Sequence, residues 1–546
     1  MHQRQPDLIL RGGTIVDGTG APRYYADVAV RGARIDYIGD LRGMRAPLEI
    51  DARGKFVTPG FIDSHSHADA TIWGNPECQS LVRQGITTAV VGNCGFSKRT
   101  FLDGVAWDPK GADIQCVYNL PGPDYPKGSM AAVLDRAEGM GTSLNTAWLC
   151  GHNDLRVLAG LYTADYTEAQ FAVMAGFLRE AMEAGFIGLS TGLEFVPGIL
   201  SRPEEVERLA AVAGEYDANY ASHMRDEGTY ILEAVEEFLN VIRKTGLRGT
   251  ISHLNVKYDN GVPNDYLQKA MQLLRDARER EHLNVLTDML PTCFATGGAL
   301  AILPPWLYED GWDRAREILA DPAGRKRVKA DCDRYWRFLA AGQWDRLLYI
   351  QPPYQPELCT RPFGELAQEA GRSPFDYFLD VMQAAPTLAD AERVHMQGTV
   401  FHEQTMIESV VRDPLYLWMT DSMATVEDGP LARNTANLQE YMSMTYFFTR
   451  YVRDLKVISL EQALMKVCSV PARHYRLTGR GVLAEGYYAD LNVFDLDALE
   501  VRATFADICR YCAGMDYVIV NGQPVIAQGR HTGARPGQVL RHLPAR

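Results

Sequence analysis

The spacing of apolar positions changes character twice along this chain. Residues 7 to 56 run in short alternating stretches, LILRGGTIVDG and then ADVAVRGARIDYIGDL, with glycine and aspartate at the breaks. This predicts short β-strands joined by tight turns. The far end of the chain has the same texture, in GYYADLNVFDL and MDYVIVNGQPVIAQG. Residues 1–56 and 476–546 are therefore expected to combine into one small β-sandwich.

Between these pieces, short apolar runs alternate with helical stretches such as EEVERLAAVAGEYD and TYILEAVEEFLNVIRKTG. That alternation predicts a parallel sheet with crossover helices. The runs lie at 55–67, 87–95, 145–156, 186–193, 219–224, 249–255, 283–290 and 415–423. Eight of them predict an α/β fold of the TIM (β/α)8 barrel type over residues 57–475. The link from the seventh run to the eighth is much longer than one helix needs. Part of it, DRAREILADPAGRKRVKADCDRYWRFLAAG, is charged and helical, so a lid insertion is expected at about 291–350.

Composition narrows the partners. A net charge of −14 disfavours nucleic acid and anionic membrane surfaces. No run reaches the roughly 18 apolar residues of a membrane span, and MHQRQPDLILRGG lacks a signal-peptide core, so a cytoplasmic location is expected. The ten cysteines show no framework spacing, which suits a reducing compartment. Cys509 and Cys512 form a lone CxxC; without a second pair it reads as two cysteines in a surface loop.

The candidate chemistry sits at the ends of the expected barrel strands, where barrel enzymes carry their reactive groups. His65 and His67 form H-x-H at the end of the first, and a two-residue period would turn both rings to one face. Cys94 follows the second, His223 ends the fifth, His253 the sixth and Asp421 the eighth. One buried histidine is ordinarily a core residue. With only 12 histidines in the chain, four of them at independently expected strand ends point to metal binding. Imidazole and thiolate ligands suit zinc, and Asp421 is placed to act as general base toward an attacking water. His152 can orient a ligand, contact substrate or serve structure alone. Glu194 and Glu227 read as solvated or structural, and His395 and His402, on the approach to the eighth strand, are given no chemistry.

These motifs carry a resemblance. VTPGFIDSHSHAD is similar to the first-strand signature of the amidohydrolase superfamily, and RGVLAEGYYADLNVFD to its closing β segment. GNCGFS, GHNDLR, GLSTGLEFVPG and SHMRDEG resemble the D-aminoacylase (N-acyl-D-amino-acid deacylase) branch in particular. The resemblance implies a small-molecule N-acyl substrate and a tightly held zinc on Cys94, His223 and His253. It further implies a weaker metal position at His65 and His67 that shares Cys94, with Asp421 as the catalytic aspartate. Hydantoinase-like relatives use a carboxylated lysine from the fourth strand, but GFIGLSTGLEF contains no lysine.

The chain also departs from that branch where the resemblance implies substrate contacts. Asn255 stands where a carboxylate-binding lysine is usual, and Leu290 and Thr292 occupy the tyrosine positions of the seventh-strand motif. Arg433, displaced by one residue, is the remaining counterpart of the substrate-pairing arginine, with Lys257 as fallback. Two other readings stay open at this point: a hydrolase of a cyclic amide or lactone, and a non-catalytic interaction protein. A homo-oligomer is compatible with all three.

Overall fold

A computed structural model describes residues 5–97, 129–195, 197–256, 265–308, 310–332, 336–392, 394–400, 402–428 and 437–542. Its centre is an eight-stranded parallel sheet whose strand order follows the chain. The strands are Phe61–Asp63, Ile86–Val91, Asn145–Gly151, Gly188–Gly192, Asn219–His223, Arg248–Ile251, Val285–Met289 and Tyr416–Trp418. All eight expected runs contain a strand. Nearly every strand residue is buried, which explains why the sequence reads as continuous apolar runs rather than as alternation.

The first and eighth strands share no ladder, and side-chain and backbone hydrogen bonds just beyond their ends join them. Asp63, at the end of the first strand, accepts hydrogen bonds from Thr420 N (2.9 Å) and Thr420 Oγ1 (2.6 Å) beyond the eighth. Ser64 Oγ donates to Trp418 O at 3.0 Å beside it. Crossover helices pack outside. Ile231–Thr245 buries Ile231, Ala234, Val235, Phe238, Leu239 and Ile242, the three- and four-residue spacing of one helix face. Glu168–Ala184 starts at a Thr167–Gln170 capping box and ends at Gly185, where φ is +106°.

The two chain ends do pair. Leu491–Phe494 runs antiparallel to Phe56–Pro59, with Val493 opposite Val57. The sandwich expectation is refined, because the nine strands form one sheet, eight along a continuous path and Leu48–Asp51 branching from it. The bend comes in Leu8–Ile15, which pairs with Leu48–Asp51 over its first half and with Phe56–Pro59 over its second. A bulge between Leu10 and Gly13 marks the change of partner.

The insertion between the seventh and eighth barrel strands extends past the expected 291–350. Its antiparallel sheet sets His395–Thr399 between Phe294–Gly298 and Leu347–Gln351. Trp344, Ile350, Phe378, Met382 and Met396 share its separate core. His395 therefore belongs to this sheet and not to the approach to the eighth barrel strand. A strand that returns about a hundred residues later gives no local signal, which is why the sequence underestimates the unit.

Candidate metal centre

Beyond the carboxyl ends of the barrel strands, six side chains converge in two overlapping donor groups: His65, His67, Cys94 and Asp421, and Cys94, His223 and His253. Cys94 belongs to both. Five of the six are buried, and only Asp421 is partly open, with its side chain 26% exposed.

The local backbone explains the sequence around them. His65 and His67 lie in a bend after the first strand ends at Asp63, not within it. Their convergence therefore comes from hydrogen bonds of that bend, Ser66 N to Val90 O and His67 N to Ser422 O, rather than from the pleat. Cys94, His253 and Asp421 all have left-handed backbone, with φ of +52°, +37° and +48°. That region is costly for residues with a Cβ and collects at functional sites. The glycines of GNCG are required by space. A Cβ on Gly92 would lie 2.2 Å from Leu149 O, and one on Gly95 would lie 2.6 Å from Gly192 N.

Cys94 Sγ is 3.2 Å from His65 Nε2, 3.6 Å from His253 Nε2 and 3.9 Å from His223 Nδ1. Asp421 Oδ1 is 3.2 Å from His65 Nε2 and 3.1 Å from His67 Nε2. Around tetrahedral zinc, bonds of about 2.0–2.3 Å place neighbouring donor atoms roughly 3.3–3.7 Å apart, so both groups have the right scale.

The outer faces of the histidines make the stronger case. His223 Nε2 donates to Glu194 at 2.8 Å, and His253 Nδ1 donates to Glu227 at 2.7 Å. The inner nitrogens, His223 Nδ1 and His253 Nε2, then confront each other at 2.9 Å. Two inward lone pairs would repel at that distance, so either a shared proton or a metal cation lies between the rings. Carboxylates on the far nitrogens are the usual means of fixing that tautomer in metal-ligating histidines. Burial pushes the Cys94 thiol up, but the charge of His65 and hydrogen bonds from His223, His253 and His65 outweigh it and hold it well below the ordinary thiol range. Burial likewise raises Asp421, and His65, His67 and His253 together bring it well below the usual carboxylate range. The residues present fit a metal with thiolate and imidazole ligands.

Other expected site residues fall differently. His152 is fully buried and its Nε2 is bonded to Glu205 at 2.7 Å, with Arg156 on the other carboxylate oxygen. It belongs to an ionic cluster at the start of Pro203–Gly214, apart from both donor groups. Asn255 is near the centre, but its Nδ2 is spent on His253 O (2.6 Å) and Glu227 (3.2 Å). Leu290 is buried in the barrel core. Arg433 and Lys257 lie outside the described residues. The surface-loop reading of the CxxC is corrected: Cys512 is buried and Cys509 packs with it in an apolar cluster with Tyr441, Met442 and Phe505.

Sequence reasoning undervalued Glu194 and Glu227, which meet the far nitrogens of two site histidines, and gave no role to Asp63 and Asp288. A signal for the last two exists: each is a carboxylate inside a strand that is otherwise buried, in FID and VLTDM. Such residues are rarely buried without a partner.

An eight-stranded barrel with a mixed imidazole, thiolate and carboxylate cluster at its strand ends defines a metal-dependent barrel enzyme. The chain belongs to the amidohydrolase family, whose family model matches residues 48–255 and 391–526, on either side of most of the insertion. It is 31% identical to the N-acyl-D-glutamate deacylase of Alcaligenes xylosoxydans xylosoxydans, over 99% of this chain and 97% of that one. It is also 31% identical to a D-aminoacylase of the same organism, over 98% and 97% of the two chains. The N-acyl-D-glutamate deacylase of Bordetella bronchiseptica, solved with zinc and a phosphonate mimic of the tetrahedral intermediate, superposes with a TM-score of 0.78. That match has 28% identity and covers 98% of this chain and 100% of the other. Among the described residues, no helix is long and apolar enough to cross a membrane.

Proposed function

We propose that this protein is a zinc-dependent amidohydrolase that cleaves the amide bond of an N-acyl-D-amino acid or a related N-acyl amine. One observation carries the reading. Asp421 Oδ1 stands within 3.2 Å of both His65 and His67, beside a thiolate shared by two donor groups, in a chain that aligns end to end with deacylases. Cys94, His223 and His253 would hold the tighter zinc, and His65 and His67 a second position that shares Cys94. Bound there, zinc supplies Lewis-acid activation of water and of the acyl carbonyl.

The remaining steps belong to the chain's own groups. Asp421 takes a proton from the water as its oxygen bonds to the acyl carbon, then delivers that proton to the amide nitrogen as the C–N bond breaks. The products are a carboxylic acid and a free amine. Glu194 and Glu227 keep the His223 and His253 rings turned inward. The test is a hydrolysis screen of zinc-loaded protein against N-acyl-D-amino acids, their L forms and uncharged N-acyl amines. Turnover of none of them overturns the reading. A cytoplasmic setting is part of the same proposal, supported by ten cysteines without framework spacing.

Two expectations follow at this site. Glu227→Gln should weaken zinc binding about 10- to 100-fold, the usual cost of losing a carboxylate behind a histidine ligand. Chelator competition measures it, and unchanged affinity would remove Glu227 from the assignment. The second concerns the substrate. With the Asn255 amide committed to Glu227 and Leu290 buried, neither offers a charge to a substrate carboxylate. The kcat/KM for an N-acyl-D-amino acid should then lie within about 10-fold, or 1.4 kcal/mol, of its methyl ester. A preference for the free acid above about 10³ would show that the carboxylate is held by groups such as Arg433.

A further inference from the structure

Asp288 lies in the seventh barrel strand and is 1% exposed. Its two carboxylate oxygens face different donor groups. Oδ1 accepts from the backbone N–H of His253 at 2.6 Å. Oδ2 lies 3.6 Å from Nδ1 of His65. His253 belongs to the group with His223, and His65 to the group with His67 and Asp421. Cys94 joins the two groups as a shared donor, and Asp288 joins them from behind.

The His253 contact is a backbone matter. With φ at +37°, His253 lies beyond the strand, which ends at Ile251. Asp288 takes that N–H with its side chain, while its own carbonyl accepts from Leu254 N at 3.2 Å. The corner that aims His253 is thus tied at two successive residues to Asp288. The His65 contact is a matter of ring orientation. His65 turns Nε2 toward Cys94 and Asp421, each at 3.2 Å, and as a metal ligand through that nitrogen it carries its ring proton on Nδ1. No hydrogen bond satisfies that buried Nδ1, and Asp288 Oδ2 is the carboxylate oxygen facing it. An anion at that edge favours the tautomer whose Nε2 lone pair faces inward.

We propose that Asp288 is a positioning residue that couples the two donor groups, fixing the His253 corner with one oxygen and the His65 tautomer with the other. The inference rests on the metal reading of the site but not on any substrate. Two variants separate its halves. Asp288→Asn keeps the volume and an acceptor for His253 N but turns an amide N–H₂ toward His65 Nδ1–H, donor against donor. Asp288→Ala removes both contacts.

The experiment titrates Co(II) and Zn(II) into the full-length protein by chelator competition, with the Co(II) absorption spectrum as a second readout. The same variants are repeated on a His67→Ala background, which disables the His65 group. Asp288→Asn should weaken metal binding about 10- to 100-fold in the intact protein and change it less than about 3-fold on the His67→Ala background. Asp288→Ala should weaken binding about 10-fold or more on both, with an altered Co(II) spectrum. Wild-type affinity and spectrum in Asp288→Ala overturn the proposal. So does an equal loss for Asp288→Asn on both backgrounds, which would mean general destabilisation. If Asp288→Ala fails to fold, by circular dichroism, the Asp288→Asn comparison decides alone. A wild-type protein that binds metal and hydrolyses nothing would defeat the proposed function and leave this inference standing.

Discussion

Cys94→Ala is expected to purify with most of its tightly bound zinc gone and with kcat/KM lowered by more than about 10³-fold. The expectation follows from charge and from position. Cys94 is the only thiol in either donor group and the only residue in both. Its neighbours are imidazoles at 3.2, 3.6 and 3.9 Å, so without sulfur a divalent cation there keeps neutral nitrogens and loses its anion. Metal-ion catalysis contributes several kcal/mol to such reactions, and about 4 kcal/mol corresponds to 10³ in rate. Alanine carries no penalty of its own beyond the φ of +52° that cysteine already bears. Cys94→Ser is the companion variant. Its hydroxyl has nearly the same size but stays protonated, so it should lose metal almost as fully as alanine. Elemental analysis of the purified variants checks both, and wild-type zinc content in Cys94→Ala would sink the assignment.

How much of this was legible in the chain depends on how local each signal is. The barrel strands are legible because both of their faces are buried, which leaves uninterrupted apolar runs between helices. GNCG is legible because backbone crowding at Gly92 and Gly95 admits no side chain, and the cysteine between them has little other reason to be there. The donors are legible because barrel topology places every strand end on one rim. Glu194 and Glu227 are harder. Each follows a strand by two to four residues, Glu194 between Leu193 and Phe195 and Glu227 between Asp226 and Gly228, and neither setting names a partner. In the fold, burial and the ring nitrogens facing them at 2.8 and 2.7 Å distinguish them from solvated carboxylates. The inserted sheet and the Cys509–Cys512 cluster are set by contacts between distant segments, Phe294 with Thr399 and Cys512 with Tyr441, and no periodicity encodes those. His152 shows the limit of address alone: it occupies a strand end, and its Nε2 is taken by Glu205 on a neighbouring helix.

Asp421→Asn is expected to keep its tight metal and lose kcat by about 10²- to 10⁴-fold, the usual contribution of a general base. Retention of metal follows because the group of Cys94, His223 and His253 does not include Asp421. The substitution is also gentle on the backbone. Asp421 sits at φ +48° with its N–H donating to His65 O at 3.0 Å, and asparagine is among the residues that tolerate the left-handed region best. Asp421→Ala would mix backbone strain with lost chemistry and is the poorer test. The partial exposure of Asp421, against five buried donors, fits a group that must exchange a proton with an incoming water and then with a departing amine. An aspartate carboxylate is ionised at neutral pH and so available as a base. The pH dependence adds a readout that simple damage would not give. If Asp421 is the base, the acid limb of the wild-type kcat profile should disappear in Asp421→Asn while KM changes little. Near-normal kcat would mean another group moves the proton. Metal lost in step with the rate would reassign Asp421 from base to ligand.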